Sequence, residues 1–453
     1  MPDPAAAVLW FRRDLRLADQ PALRAAVEGA DRVVGLFVDD GRLRRPSGPA
    51  RLAFLDGCLR RLDADIGGNL VRRSGDPAEV VIEVAREVGA TDVYVTEDFA
   101  PYGRARDDAV AAALAARGGE LRRVGTPYAV APGTVRTQAG GPYRVFTPFS
   151  RAWGALAAEL PDGAPVVDWV DGLASSPREP SPIPVGVDLP APGEAAAHDR
   201  LEQFLADGVD DYADRRDQPA IDGTSRLSPY LKFGCLHPRQ VLVHLGDGGP
   251  PGAAAVRSEL AWREFYADVL FHRPETAHRS FLAKMAPMRT DLGPAADERL
   301  AAWCAGRTGY PLVDAGMRQL ASEAWMHNRV RMVTASFLVK DLHLDWTRGA
   351  AWFMDQLVDG DLASNQHGWQ WVAGTGTDAA PYFRIFNPVA QSKRFDPDGA
   401  YLRRWIPELA GVPAPAVHEP WKLPGGPPAG YPAPIIDHGA ERVEALRRYD
   451  EIR

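Results

Sequence analysis

The sequence predicts two domains of different class: an N-terminal α/β domain built on a parallel sheet, and a C-terminal domain that is nearly all helix. Three observations carry this. The chain has 453 residues, too many for one compact core. Its first part alternates short β-type runs with amphipathic helical stretches. Beyond a stretch rich in Pro, Gly, Asp and Ser, only helical patterns of comparable strength remain.

The β-type runs are 7–11, 32–38, 70–73, 92–96 and 121–124, with helices expected over 49–65, 77–88 and 103–117. Strands separated by helices of that length imply parallel pairing, with helices on both faces of the sheet. Residues 160–197 read as a connection between domains. Helices follow over 253–272, 298–304, 311–328, 330–340 and 346–358, and a short charged helix over 439–453 closes the chain. The expected division is a first domain 1–130, a linker 131–197 and a helical domain 198–453.

Composition narrows the class. No apolar run is long enough to span a bilayer. The start, MPDPAAAVLWFRRDLRLADQ, lacks the apolar core of an export signal. Cys58, Cys235 and Cys304 are far apart along the chain and suit neither a disulfide framework nor a metal site, so a reducing cytoplasm fits. The net charge of −8 argues weakly against nucleic acid as a partner. A global average leaves room for a local basic face.

Two stretches place unusual residues on one predicted helix face. Glu259, Trp262, Arg263 and Tyr266 fall at i, i+3, i+4 and i+7, and so do Trp325, Asn328, Arg329 and Met332. Such a mixture suits the wall of a polar cavity with aromatic plates; a half-buried, salt-bridged helix fits the spacing equally. Residues 223–228, GTSRLS, precede a helical stretch. Hydroxyls and N–H groups there suit a diphosphate, and equally make an ordinary N-cap. Residues 359–371 pair Asp359 with Asp361, but hard cations want more oxygen ligands nearby. No zinc-type Cys/His cluster exists, so no metal is expected. Hydrogen bonds to a heteroaromatic ligand fit that segment better.

Together these stretches resemble the photolyase/cryptochrome family, in particular its microbial, class I type pyrimidine-dimer photolyases. The shared motifs are LWFRRDLRLAD (9–19), GTSRLSPYLKFG (223–234), ELAWREFY (259–266), GRTGYPLVDAGMRQL (306–320), WMHNRVRM (325–332), DGDLASNQHGWQW (359–371) and GTGTDAAPYFRIFNP (374–388). The resemblance covers essentially the whole chain. It implies a Rossmann-like α/β antenna domain and an all-α FAD-binding domain. It implies that Tyr212, Thr224, Ser225, Arg226, Leu227 and Ser228 hold the FAD phosphates and nearby groups. Arg263 is then expected to approach the flavin, Arg331 and Asp359 to pair beside its ring, Asp361 to bond the ribose or adenine side, and Asn365 to face N5. On the lesion side, Glu259 is expected to hydrogen-bond the dimer, Asn328 and Met332 to contact the pyrimidines, and Trp262 and Trp371 to pack against it. Arg216, Arg329, Arg384 and Arg394 are candidates to hold DNA phosphates; a solvated surface role is the alternative for each.

Relatives that repair (6-4) photoproducts carry two histidines where this chain has Asn328 and Met332, so the resemblance implies cyclobutane pyrimidine dimers in UV-damaged DNA. Trp369 and Trp346 match the two inner members of the family's tryptophan electron relay. Met288 stands where the outer one would be, leaving Trp303 or another aromatic as substitute. Residues 97–104, EDFAPYGR, and 48–51, GPAR, resemble relatives whose antenna is 8-hydroxy-5-deazaflavin, with Arg51 and Asp98 as its polar contacts. The Asn-Glu pair of 5,10-methenyltetrahydrofolate binders is replaced by Tyr102-Gly103. An empty antenna site, or an ordinary flavin in it, is the alternative. The activity so implied is dimer splitting by blue-light-driven electron transfer from reduced FAD, in a monomer without an obligate protein partner. A cryptochrome-type light receptor without repair is the main rival, and the intact lesion-side set speaks against it. A nucleotide-hydrolysing enzyme is the second, and no GxxxxGK[ST] loop is present.

Overall fold

Five parallel strands form one sheet in the order β3-β2-β1-β4-β5. They are β1 Ala6–Phe11, β2 Arg32–Asp39, β3 Leu70–Ser74, β4 Asp92–Val95 and β5 Glu120–Arg123. The computed structural model describes residues 5–157, 163–176, 179–246, 249–378 and 384–452. β1 and β2 pair in register from Ala6 with Arg32 to Phe11 with Phe37. Val8, Trp10, Val34, Leu36, Val71, Val93 and Val95 share a core with Val80, Val84 and Val110 from the flanking helices. β-Branched side chains on both faces are what a covered parallel sheet demands. β5, Glu-Leu-Arg-Arg, is the exposed edge, and its charges oppose further strand pairing.

The flanking helices are α1 Pro21–Gly29, α2 Gly41–Arg44, α3 Pro49–Asp65, α4 Pro77–Glu87 and α5 Pro101–Ala115. Proline opens α1, α3, α4 and α5, where its missing N–H costs nothing. The sequence reading did not anticipate α1, which is short and capped by the side chain of Gln20.

The remaining helices are α6 Phe146–Gly154, α7 Glu194–Asp207, α8 Tyr212–Arg215, α9 Ser228–Phe233, α10 Pro238–Leu245, α11 Pro251–His272, α12 Pro294–Cys304, α13 Pro311–Glu323, α14 Asn328–Ser336, α15 Trp346–Gln356, α16 Leu362–Ala373, α17 Pro388–Phe395, α18 Ala400–Trp405 and α19 His438–Asp450. Two compact units result. The first takes Met1–Ile183, Pro190–Asp210 and Ser225–Pro274; the second takes Pro184–Leu189, Asp211–Thr224 and Glu275–Arg453. The second unit is helical around Trp303, Leu312, Met317, Phe337, Trp346, Phe353, Trp369 and Tyr401.

The helix expected over 311–328 stops short, and the next begins earlier than expected. α13 ends at Glu323, Ala324 takes a left-handed φ of 48°, and α14 starts at Asn328 with His327 as its N-cap. Trp325 therefore lies in the intervening loop and shares no helix face with Asn328 and Met332. The helix expected over 330–340 becomes α14 followed by a π-helical turn, Phe337–Asp341. Part of the expected linker (158–162 and 177–178) and residues 379–383 of the last motif lie outside the described residues.

Candidate active site

In the first unit, α11 is continuous from Pro251 to His272, so Glu259, Trp262, Arg263 and Tyr266 do share one face. Trp262 stacks flat on Phe146, with ring centroids 3.7 Å apart and planes 8° apart. One side of the indole is thereby covered and its orientation fixed. Phe146, on a helix not foreseen from sequence, supplies this support. Glu259 is half-buried on the same helix.

The neighbouring acids are structural. Glu264 is buried and accepts from Ala129 N at 2.6 Å, Val130 N at 3.0 Å and Trp153 Nε1 at 2.6 Å. Burial raises its carboxyl, and Arg263 and these donors oppose the rise. Asp268 accepts from Gly133 N at 2.7 Å. The two acids anchor the chain over 129–133 to α11, a role that no sequence pattern disclosed. Arg263 donates to Leu231 O at 3.1 Å and lies 4.7 Å from the centre of the Tyr128 ring. It thus holds the end of α9, whose start carries the GTSRLS loop. In that loop Arg226 has a φ of 50°, and Arg200 Nε holds the Ser225 carbonyl at 2.8 Å.

In the second unit, α14 and α16 carry the rest. Arg331 Nη2 and Asp359 Oδ2 pair at 2.8 Å, with the Asp359 side chain 3% exposed. Asp361 caps α16 by accepting from Ser364 N at 3.1 Å. Asp359 thus meets a guanidinium and Asp361 a backbone N–H at the start of α16. Asn365 Nδ2 donates to Ala350 O at 3.1 Å and to Gln366 Oε1 at 2.9 Å. Because Ala350 O only accepts, the amide orientation is fixed and its oxygen is the atom left to meet a ligand. Tyr212 is buried, with the Arg216 guanidinium 5.9 Å from its ring centre.

Met332 and Trp371 pack at the margin of the same core, and Asn328 is exposed at the first position of α14. His327 caps this helix, its Nδ1 accepting from Arg329 N at 3.2 Å. Burial pushes the His327 imidazole down to about 4, from an ordinary value of 6.5. The native state therefore binds fewer protons than the unfolded chain between those values. Stability falls as pH drops from about 6.5 towards about 4, by up to about 3 kcal/mol from this group. His327→Asn keeps a capping acceptor but removes the titration. The acid slope of the thermal midpoint should become shallower in that variant; an unchanged slope would contradict the assignment.

The arginine candidates differ in setting. Arg329 is paired with Asp217 at 2.7 Å, and Arg329 and Arg394 lie 4.6 and 5.0 Å from the centre of the Phe395 ring. Arg384 is exposed, and its carbonyl accepts from buried Lys340 at 3.0 Å.

Trp369 packs in the core where α15 and α16 cross. A Cβ on Gly349 would lie 2.1 Å from Trp369 Cη2, so only glycine permits this crossing. Gly349→Ala should cost about 1–3 kcal/mol of unfolding free energy by overpacking. Denaturant unfolding checks this, and undiminished stability would contradict it. Buried Trp369 Nε1 has no hydrogen-bond partner among the described residues. Trp303 meets Trp369 edge to face at 6.1 Å but is fully buried. Trp346 and Met288 are both among the residues that line one small cavity of about 60 Å³.

Each unit by itself carries groups that suit part of a flavin dinucleotide. The loop offers hydroxyls on Thr224, Ser225 and Ser228 for phosphates. The ion pair, the oriented amide of Asn365 and the orphaned Trp369 N–H offer polar partners for a heteroaromatic ring.

In the first unit, Arg51 is buried on α3. Asp98 follows β4, next to the point where strand order reverses between β1 and β4, the usual ligand crevice of such sheets. It accepts from Ala100 N at 3.1 Å and Arg106 Nη2 at 3.2 Å. Burial alone would raise its carboxyl, but Arg106, Arg13 and Arg12 hold it below the ordinary range. A Cβ on Gly103 would lie 2.1 Å from Asp98 Cγ, so a longer side chain at 103 has no room. A separate cavity of about 750 Å³ opens past β2 and β3, lined by Asp39, Arg42, Arg44, Ser74 and Tyr102 among others, and not by Arg51 or Asp98.

Known proteins give the same outline. Residues 7–166 match the family described as DNA photolyase, and 256–451 match the FAD binding domain of DNA photolyase. A deoxyribodipyrimidine photo-lyase of Streptomyces griseus is 44% identical, over 99% of each chain. A bacterial class III photolyase structure from Agrobacterium tumefaciens superposes with a TM-score of 0.93 at 36% identity, covering 100% of this chain and 98% of that one. An archaeal photolyase structure from Sulfolobus tokodaii, described with two FAD molecules, superposes with a TM-score of 0.84 at 29% identity, covering 98% and 100%. No helix among the described residues is long and apolar enough to cross a membrane.

Proposed function

The chain belongs to the DNA photolyase family, and from that premise we propose how its own residues serve light-driven repair of cyclobutane pyrimidine dimers in DNA. The activity itself rests on 44% identity to a deoxyribodipyrimidine photo-lyase over 99% of each chain. When bound, reduced FAD supplies one electron on absorbing blue light and takes it back once the cyclobutane ring has opened.

Thr224, Ser225 and Ser228 hold the diphosphate, with Tyr212, Arg226 and Leu227 beside it, and Arg263 keeps α9 in place beneath that loop. The Arg331–Asp359 pair orients the ring, Asp361 lies on the ribose or adenine side, and the Asn365 oxygen accepts from a ring N–H. Trp369 and Trp346 carry electrons towards the flavin when it must be reduced. Glu259 hydrogen-bonds the carbonyl and imino edge of the dimer and steadies the charge it gains. Trp262, held flat by Phe146, and Trp371 are its aromatic walls, and Asn328 and Met332 contact the pyrimidines. A dimer already weakens stacking and pairing, so flipping it out costs less than flipping an intact base. Arg216, Arg329, Arg384 and Arg394 meet phosphates, with Arg329 reaching from its pair with Asp217.

The single observation that favours cyclobutane dimers over (6-4) photoproducts is the state of His327. It is buried and spent as a helix cap, burial holds its imidazole well below the ordinary value, and Asn328 and Met332 stand where (6-4) relatives carry histidines. The test uses two oligonucleotides, each with one lesion type, and the reduced holoenzyme under blue light. Only the cyclobutane lesion should revert, and only in light. Reversal of the (6-4) lesion, or equal loss in the dark, would overturn the reading.

For the antenna we favour 8-hydroxy-5-deazaflavin held by Arg51 and Asp98. The lack of room at Gly103 supports this over a folate, whose relatives use a glutamate there. The protein acts as a monomer in the cytoplasm on this reading, with residues 1–130 as antenna domain, 131–197 as linker and 198–453 as catalytic domain.

A further inference from the structure

Two of the three cysteines meet, although the sequence separates them widely. Cys58 lies on α3, and Cys235 follows the turn that ends α9, both in the first unit. Their sulfur atoms are 3.6 Å apart, across 177 residues of chain. The two residues are 1% and 0% exposed.

The backbone on both sides is held. Phe54, one turn before Cys58, meets Tyr230 at 5.9 Å and Phe233 at 5.5 Å between ring centroids. A Cβ on Gly57 would lie 2.8 Å from Pro192 Cγ, so α3 lies tight against the chain there. Cys235 N donates to Tyr230 O at 3.0 Å, and Leu15 N donates to Phe233 O at 3.1 Å. Gly234, with a φ of 66°, packs so closely that a Cβ would lie 2.0 Å from Arg13 O. A disulfide needs its sulfurs about 2.05 Å apart, so closure asks for roughly 1.5 Å of approach by side-chain rotation. With thiols in contact on fixed supports, little else has to move.

We propose that Cys58 and Cys235 form a redox modification site that a hydroperoxide converts to a disulfide. One thiolate attacks the peroxide oxygen, becoming a sulfenic acid and releasing water. The second thiol then displaces water from that sulfur and forms the S–S bond. Two thiols lose two electrons and two protons, and hydrogen peroxide takes them to give two waters. Burial pushes the Cys58 thiol well up, so the first step is slow and waits for the site to open. The product is a slow lock rather than a fast sensor. It ties α3 to the end of α9 and closes a very long loop, which stabilises the fold most by restricting the unfolded chain. Nothing in this chemistry depends on the repair activity.

The experiment uses FAD-loaded protein carrying Cys304→Ser, which leaves only this pair. It is treated with hydrogen peroxide, and its thiols are titrated in denaturant before non-reducing peptide mapping. Both thiols should disappear, a linked Cys58/Cys235 peptide should appear, and the thermal midpoint should rise by several degrees and fall back with dithiothreitol. Hydrogen exchange over residues 225–235 should slow in the oxidised form. Adding Cys58→Ala should abolish the link and the rise, and Cys235→Ala serves if that variant does not fold. Thiols that stay titratable after the partly buried Met288, Met332 and Met354 have become sulfoxides would overturn the proposal. Recovery of either cysteine as sulfinic or sulfonic acid in place of the link would do the same.

Discussion

Asp359→Ala is expected to leave the purified protein largely without FAD and less stable by about 3 kcal/mol. Asp359 is almost wholly buried and pairs with Arg331 at 2.8 Å, while Arg331 Nε is turned to Met326 O at 2.8 Å. Removing the carboxylate strands a guanidinium that the fold has oriented for it. Breaking one side of a buried pair costs about 3–5 kcal/mol because the partner charge loses its counter-ion. Arg331 retains some exposure, so the lower end applies. On the proposed reading the same pair orients the flavin ring, so retention should fall by at least about tenfold, a factor worth about 1.4 kcal/mol. Asp359→Asn keeps a hydrogen bond without the charge and should fall between. Flavin absorbance per protein and denaturant unfolding read the two effects. Full flavin content with unchanged stability would show that the pair does neither job.

Glu259→Ala is expected to lower the number of dimers split per absorbed photon by about tenfold while leaving the flavin content unchanged. A hydrogen bond to a charged group is worth about 1.5–3 kcal/mol, and on the proposed reading the bond from Glu259 is strongest once the dimer has gained its electron. Loss of that bond slows ring opening, so more electrons return unproductively. Glu259→Gln can still donate or accept at the same reach and should recover part of the yield. Binding of dimer-containing DNA in the dark should weaken less than the yield. An unchanged yield per photon would remove Glu259 from the lesion side, and loss of flavin would reassign it to the cofactor.

The sheet was legible because β1, β2 and β4 are short, mostly apolar runs separated by helical stretches, and all five strands appear within a residue or two of the expected positions. The helical domain was legible in its long elements, such as α11. It was not legible at Ala324, where a non-glycine residue takes a left-handed φ and the next helix is capped by histidine. Neither feature is among the usual stop and start signals. The error had a consequence, since Trp325 was grouped with Asn328 and Met332 on a face that does not exist. Phe146, Glu264 and Asp268 were missed for a different reason. Their work is to hold other residues, and support of that kind depends on contacts far along the chain. The Cys58–Cys235 contact belongs with them, because separation in sequence says nothing about approach in space. Among the proposed site residues, the flavin-side pair Arg331 and Asp359 came through the family resemblance, and the structure brings them together.

The central claim is that light, not a consumed reductant, drives the splitting. The most direct measurement counts dimers split per flavin in the reduced holoenzyme, without oxygen, under continuous blue light. Many dimers should be split for each flavin, with the flavin spectrum unchanged at the end. A reaction that stops after about one dimer per flavin, leaving the flavin oxidised, would contradict the account, and so would light that changes the flavin while every dimer persists.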